Sequence, residues 1–449
     1  MRSFDIQAFI DEQRTKPIHY IVLALCTIVM FIDGFDIFMV GKIAPAIAQD
    51  FGITPAGMTM VFLLQQIGLA LGSFFISPLA DYFGRRRTLV ISSIIFGLLT
   101  ILTAFSTSIL MLAVLRGVSG LFLAGVLPIA VALLSEFTPK QRRSSFIAVG
   151  MAGYSLGNAA GAGVALLVPD FGWESGFWIG GLMPLLLAPF MMMSLPESLA
   201  FRVTRNPQDP IIAKTVKRIS PATILTGEER FFSSADKSKA AKPHVLDVFR
   251  HGRARSSVII FSACTLSMGT IALLAAWLPS FFQQMAGIPI QRFAIAAVIG
   301  FLGGMAGMLT IGYLMDRIRP TRLLPCYFIG YGAGLLILGH VPFGSLFFIP
   351  LLFSISFFQG GGQAGLNMLM AQIYPTSIRS TGIGWAGGAG RIGGVILPLF
   401  GGLALASSFT LPLTLSLVAI APFIVALLVL LLRPVESLQA PNLAATANT

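Results

Sequence analysis

Charge is what this sequence has least of. Of 449 residues only 11% are Asp, Glu, Lys or Arg, against about a quarter in soluble domains. So few charges cannot cover the surface of a water-soluble chain this long, which excludes an ordinary soluble enzyme or nucleic-acid binder. Cysteine is also scarce: Cys26, Cys264 and Cys326 lie in apolar runs and are odd in number, so no disulfide framework is implied. The four histidines, His19, His244, His251 and His340, sit at helix ends or in loops and suggest neither a metal set nor a proton relay. No Walker loop, CxxC pair, dinucleotide fingerprint or nucleophile elbow occurs in a fitting context. Neither a cofactor, a metal nor an enzymatic activity is expected.

Apolar residues are abundant, at 55% of the chain with a mean hydropathy of +0.85. The 47 Gly and 37 Phe suit closely packed membrane helices, where small residues let backbones approach. A bilayer core takes about 20 apolar residues per helix. Twelve stretches qualify, near 17–41, 55–77, 88–107, 109–134, 144–168, 175–195, 255–284, 292–315, 322–341, 345–372, 381–406 and 409–432. The net charge of +12 is explained by its placement. About 26 of the Lys and Arg fall in alternate loops and at the two ends, the positive-inside pattern, which puts both termini in the cytoplasm. The opposite loops are short, with Lys42 and Arg292 as their cations. The first residues mix Asp5, Asp11 and Glu12 with Arg2, Arg14 and Lys16. With no cleavage site after the first apolar run, they predict a retained cytoplasmic segment.

The expected organisation is a cytoplasmic segment 1–16, a six-helix bundle 17–195, a basic linker 196–254, a second bundle 255–433 and a cytoplasmic tail 434–449. The halves repeat. Asp81 follows helix 2 and Asp316 follows helix 8, 235 residues later; Pro139 follows helix 4 and Pro375 follows helix 10, 236 residues later. A constant offset in two separate loops predicts parallel repeats rocking about a site at their interface.

The loop Ser77-Pro-Leu-Ala-Asp81-Tyr-Phe-Gly84-Arg85-Arg86-Arg87 resembles the signature loop of the major facilitator superfamily, with Ser77 in place of its first Gly and Tyr82 in place of its first basic residue. The second copy keeps Gly312, Asp316 and Arg317, and Arg116-Gly-Val-Ser-Gly120 is similar to the family's helix-4 element. The resemblance spans the whole chain. It implies an all-α membrane protein with twelve transmembrane helices in two pseudo-symmetric six-helix bundles, helices 1, 4, 7 and 10 lining the cavity. A narrower resemblance, to the aromatic acid:H⁺ symporters of bacteria, rests on Asp33-Gly34-Phe35-Asp36 in helix 1, on Tyr374-Pro-Thr-Ser-Ile-Arg379 running into Gly390-Arg391, and on Phe4-Asp-Ile-Gln-Ala-Phe-Ile10. It implies import of a benzoate-type acid with protons across a bacterial inner membrane by a monomer, driven by the proton gradient alone.

Ionisable residues inside a membrane are costly and mark functional positions. Asp33, Asp36, Arg116 and Arg391 qualify. Asp33 and Asp36 share a helix face and repel as anions, so one of them can take a proton. Asp36 and Arg116 also come to one depth. The pair is read either as proton coupling or as a fixed ion pair pinning helix 1 to helix 4. Arg391 offers a planar fork for a substrate carboxylate, or alternatively bonds backbone carbonyls. Gln359, Gln363 and Asn367 form one polar stripe on helix 10, and Tyr154 with Asn158 forms a shorter pair on helix 5. Each is read as hydrogen-bonding substrate or as joining helices. Phe35, Trp277, Phe281, Phe358 and Trp385 are candidates for stacking on a ring, or alternatively face lipid or pack between helices, as most aromatics of a chain with 37 Phe do. Asp81, Gly84, Arg85, Glu136, Arg143, Asp316, Arg317 and Arg379 are expected at cytoplasmic helix ends, as a charge network made and broken on switching, or as interfacial anchors. A carrier of non-aromatic organic anions, an exporter and a transporter-like sensor are the other readings of the sequence; the bland 16-residue tail after Arg433 disfavours a sensor.

Overall fold

A computed structural model describes residues 2–220, 223, 229–232, 248–250, 253–315, 317–374 and 379–432. The tail 434–449 and most of the segment 221–247 lie outside the described residues. The chain divides into two compact units, Met1–Ile43 with Met60–Lys242 and Ala44–Thr59 with Pro243–Thr449.

The first unit begins with a strand β1 (Arg2–Asp5) and a short helix α1 (Ile6–Glu12), capped by Asp5, whose side chain accepts from the Gln7 and Ala8 N–H groups. The long helices follow: α2 (Pro17–Asp50), α3 (Thr59–Phe83), α4 (Arg85–Thr103), α5 (Ile109–Leu123), α6 (Val126–Phe137), α7 (Arg143–Phe171) and α8 (Glu174–Ser194). Two short amphipathic helices, α9 (Leu199–Arg205) and α10 (Pro210–Ile219), lead to a strand β2 (Glu229–Phe232) that pairs in parallel with β1. The strand pair departs from the all-helical expectation, and its cause is local. Phe4 packs edge-on against Phe231, and Ile6, Ile10, Ile212, Val216, Ile219 and Phe231 are buried in one cluster with the ends of the membrane helices. An apolar patch of this kind at a helix end is removed from water only if the linker folds onto it.

The second unit holds α11 (Ala254–Ala286), α12 (Ile290–Met315), α13 (Pro320–Leu338), α14 (Phe348–Ile373), α15 (Arg379–Ala406) and α16 (Leu411–Leu430). Its helices pair α11 with α15, α12 with α14 and α13 with α16. The first unit repeats the scheme, with glycines setting the approach. A Cβ on Gly157 of α7 would stand 1.9 Å from the Phe31 carbonyl of α2, and one on Gly393 of α15 would stand 1.9 Å from the Thr265 carbonyl of α11. Without a hydrophobic drive between helices in lipid, such backbone contact supplies the packing.

Each of the twelve expected stretches is helical. Among the described residues eleven helices are long and apolar enough to cross a membrane. The remaining stretch, α14, has 26 residues, and its apolar character is diluted by Gln359, Gln363, Asn367 and three successive glycines. Large apolar side chains such as Phe74, Leu186, Leu309 and Phe347 are exposed, as lipid contact requires.

Two spans differ from the sequence expectation. Helix 1 runs on to Asp50 instead of ending near residue 41, because Lys42 gives its ammonium to Asn158 of α7 rather than to water. Helix 4 is interrupted at Ala124–Gly125, dividing α5 from α6. Pro128 lies just beyond and has no N–H to give to the Ala124 carbonyl.

Candidate functional site

The ionisable groups of α2 and α5 meet inside the first unit. Arg116 and Asp36 are both wholly buried, and the guanidinium grips the carboxylate with both ends of its fork, Nη2 to Oδ2 at 2.6 Å and Nη1 to Oδ1 at 3.1 Å. Thr100 of α4 donates its hydroxyl to Asp36 Oδ1 at 3.3 Å and lies 3.4 Å from the Ser119 hydroxyl of α5. The Phe177 ring of α8 stands 5.7 Å from the guanidinium carbon. Charge-assisted bidentate contact of this kind is among the strongest polar interactions a protein makes. Asp33 is buried one turn back along α2. With both carboxylates ionised, the Asp33–Asp36–Arg116 group carries one net negative charge; a single proton brings it to zero. Gly34, between the two aspartates, packs against the Tyr154 carbonyl of α7, which fixes the rotation of α2 that points Asp36 at Arg116.

In the second unit the polar stripe of α14 is resolved into separate contacts. Gln359 donates to the Tyr331 hydroxyl of α13 at 3.1 Å, Gln363 accepts from the Ser267 hydroxyl of α11 at 2.7 Å, and Gln363 donates to Asn367 at 3.3 Å. Gln359 thus joins two helices. Gln363 and Asn367 form a chain in which Asn367 stays exposed.

Arg391 is half-exposed on α15. One face of this helix is packed: a Cβ on Gly390 would strike Met268, and one on Gly393 the Thr265 carbonyl. The face carrying Gly384, Gly387 and Gly388 is open, with nothing within 4 Å of where their Cβ atoms would be. Arg391 follows these glycines at helical spacing and so shares their face of the helix.

The ring-stacking candidates divide by burial. Trp277 and Phe281 are wholly buried and stacked at 6.4 Å between centroids; the Trp277 indole donates to the Pro398 carbonyl at 2.7 Å. Trp277 thereby ties α11 to α15. Phe35 is buried, and Phe358 packs edge-on to Tyr327 and Phe357. Trp385 is exposed. Tyr154 packs edge-on to Phe38, and Asn158 accepts from Lys42 at 2.7 Å.

Of the expected charge network, Arg85 pairs with Glu136, and Ser198 donates its hydroxyl to the same carboxylate. Arg143 instead pairs with Asp11 of the N-terminal segment and donates to the Thr138 carbonyl. Arg317 lies over the Tyr313 ring at 4.3 Å. Asp316 lies outside the described residues, and so do the side chains of Asp81 and Arg379.

Sequence reasoning missed Glu197, a buried carboxylate that accepts from the Arg86 N–H at 2.9 Å and the Ser198 N–H at 3.0 Å. It caps the start of α4, where an anion is favoured by the unpaired N–H groups. An acid in Pro196-Glu197-Ser198, directly after an apolar run, was the available signal. Gly84, just before α4, has φ +105°, and a Cβ there would lie 2.5 Å from Glu197 Oε2. Gly84→Ala is therefore expected to cost about 1–3 kcal/mol, read as a lowered midpoint of thermal unfolding in detergent. A midpoint equal to that of the unmodified protein would contradict the cap.

Two repeated six-helix units, the first with Asp33, Asp36 and Arg116 buried in its membrane helices, define a secondary transporter. Comparison with known proteins carries this further. The family model described as Major Facilitator Superfamily matches residues 26–321 and 287–448. The 4-hydroxybenzoate transporter PcaK of Pseudomonas aeruginosa is 32% identical over 88% of each chain. The gallate transporter of Pseudomonas putida is 30% identical over 95% of this chain and 94% of its own. Among solved structures, the inward-open xylose transporter XylE of E. coli aligns with TM-score 0.71 over 94% of this chain and 99% of its own, at 14% identity, a likeness of fold alone. The chain belongs to the Major Facilitator Superfamily and is a multi-pass membrane transporter.

Proposed function

We propose that the chain imports small aromatic carboxylates, of the 4-hydroxybenzoate type, together with protons across the bacterial inner membrane. The observation that carries this reading is the run of relatives matched over nearly the whole chain, named as transporters of 4-hydroxybenzoate, gallate and benzoate. The site chemistry agrees with it. Arg391 supplies the fork for the carboxylate, and the glycine face beside it leaves room for a flat ring. The Asp33–Asp36–Arg116 group supplies the proton site. A proton entering it cancels its net charge and loosens the hold of Asp36 on Arg116, and its loss on the other side restores the pair. Substrate access alternates between the two sides of the membrane, with both termini cytoplasmic, in a monomer that uses no cofactor beyond the proton gradient. The Arg85–Glu136–Ser198 cluster is the cytoplasmic tie that must break during the cycle.

The test is competition. In cells carrying the transporter, uptake of labelled 4-hydroxybenzoate is expected to be suppressed by excess benzoate or gallate and untouched by shikimate. Suppression by shikimate with no effect of benzoate would reassign the site to non-aromatic anions.

A further inference from the structure

We propose that Lys42 and Asn158, with the Phe38–Tyr154 ring pair one helical turn away, form a second subsite for an aromatic carboxylate within the first unit. The proposal rests on the aromatic-acid reading above, and it concerns residues of α2 and α7 alone.

These two helices run in the same direction in close contact. Cβ atoms on Gly153, Gly157 and Gly161 of α7 would meet Thr27, Phe31 and Phe35 of α2 in turn. Beyond that seam each helix contributes two side chains at i and i+4. Phe38 and Tyr154 face one another edge-on at 6.0 Å. The Lys42 ammonium donates to both the backbone carbonyl and the side-chain oxygen of Asn158, the latter at 2.7 Å. A spacing of four residues sets the cation about 6 Å along the helix from the rings, the arrangement a ring with a carboxylate on its edge requires. All four side chains are partly exposed.

The charge count points the same way. An ammonium has three donors, and Asn158 takes two. Among the described residues no carboxylate pairs with Lys42. A cation on an apolar helix without a counter-anion is costly, and an incoming carboxylate offsets that cost. Arg116, the wholly buried cation of α5, is already committed to Asp36. Lys42 is therefore the group through which this unit holds an anionic substrate.

The test is equilibrium binding of labelled 4-hydroxybenzoate, and of its uncharged analogue 4-hydroxybenzamide, to the purified full-length protein. Lys42→Gln is expected to weaken 4-hydroxybenzoate binding by about tenfold or more, the loss of one charge-assisted contact, and to leave 4-hydroxybenzamide unchanged. Lys42→Arg is expected to stay within about threefold of the unmodified protein, since charge and donors are retained. Binding of 4-hydroxybenzoate to Lys42→Gln within twofold of the unmodified protein would overturn the proposal and assign Lys42 to anchoring. Phe38→Leu, which leaves the Lys42 contact in place, is the second variant; it is expected to weaken both ligands alike, and unchanged affinity for both would remove the ring wall. If the unmodified protein binds no aromatic acid, the aromatic-acid reading fails first and takes this subsite with it, an outcome distinct from a variant that binds normally.

Discussion

Asp33→Asn and Asp36→Asn are each expected to abolish accumulation of substrate against its gradient. The effect of the first is the cleaner. Asp33 lies one turn from the ion pair, so its amide variant should keep the fold, keep exchange of labelled for unlabelled substrate at equal proton concentration, and lose only the proton-driven component. Asp36→Asn does more. It leaves the Arg116 charge wholly buried without the carboxylate it grips, and breaking a buried pair from one side costs about 3–5 kcal/mol. That variant is expected to unfold at a lower temperature as well as to lose transport. Full accumulation by the Asp33 variant would remove that residue from the coupling role. Full accumulation by the Asp36 variant, together with a lowered unfolding temperature, would mark the Asp36–Arg116 pair as a fixed structural tie.

Arg391→Lys is expected to raise the KM for 4-hydroxybenzoate uptake by about tenfold or more with little change in maximal rate. The charge survives, but the two parallel hydrogen bonds to a carboxylate do not, and one such charge-assisted bond is worth about 1.5–3 kcal/mol. Filling the open face tests the same site from the other side. Gly387→Val keeps the guanidinium and occupies space that is empty around Gly387, so it should discriminate against wider rings before it affects benzoate. An unchanged KM in Arg391→Lys would show that the carboxylate is held elsewhere.

Most of the fold is legible in the sequence because a bilayer sets the length of an apolar run, and the constant offset between the Asp81 and Asp316 loops exposes the repeat. What is not legible is where polar groups override that pattern. Lys42 reads as a loop cation because a charge after an apolar run ordinarily ends a membrane helix; its contact with Asn158, 116 residues away, carries the helix past it. The Ala124–Gly125 break is hidden inside a continuous apolar stretch.

The site is legible in part, for a physical reason. Asp36 and Arg116 stand out since charge inside a membrane is rare and must be answered by a partner at the same depth. Thr100, Ser119 and Ser267, which complete the polar contacts, do not stand out: membrane helices are full of hydroxyls bonded to their own backbone. The same limit separates Trp277 from Trp385. Both are indoles on apolar helices, and only packing against Gly401 and the Pro398 carbonyl shows that the first is buried structure. Arg143 stands at the start of α7, but its partner Asp11 comes from a segment whose fold depends on pairing with the linker, which no local pattern announces.

The central claim is coupling of aromatic-acid movement to protons, and the most direct measurement is uptake of labelled 4-hydroxybenzoate into proteoliposomes of the purified protein, with and without an inward proton gradient. The account predicts accumulation above the external concentration when the gradient is imposed, collapse of that accumulation on adding a protonophore, and mere equilibration without the gradient. Accumulation that is indifferent to the gradient and to the protonophore would contradict it.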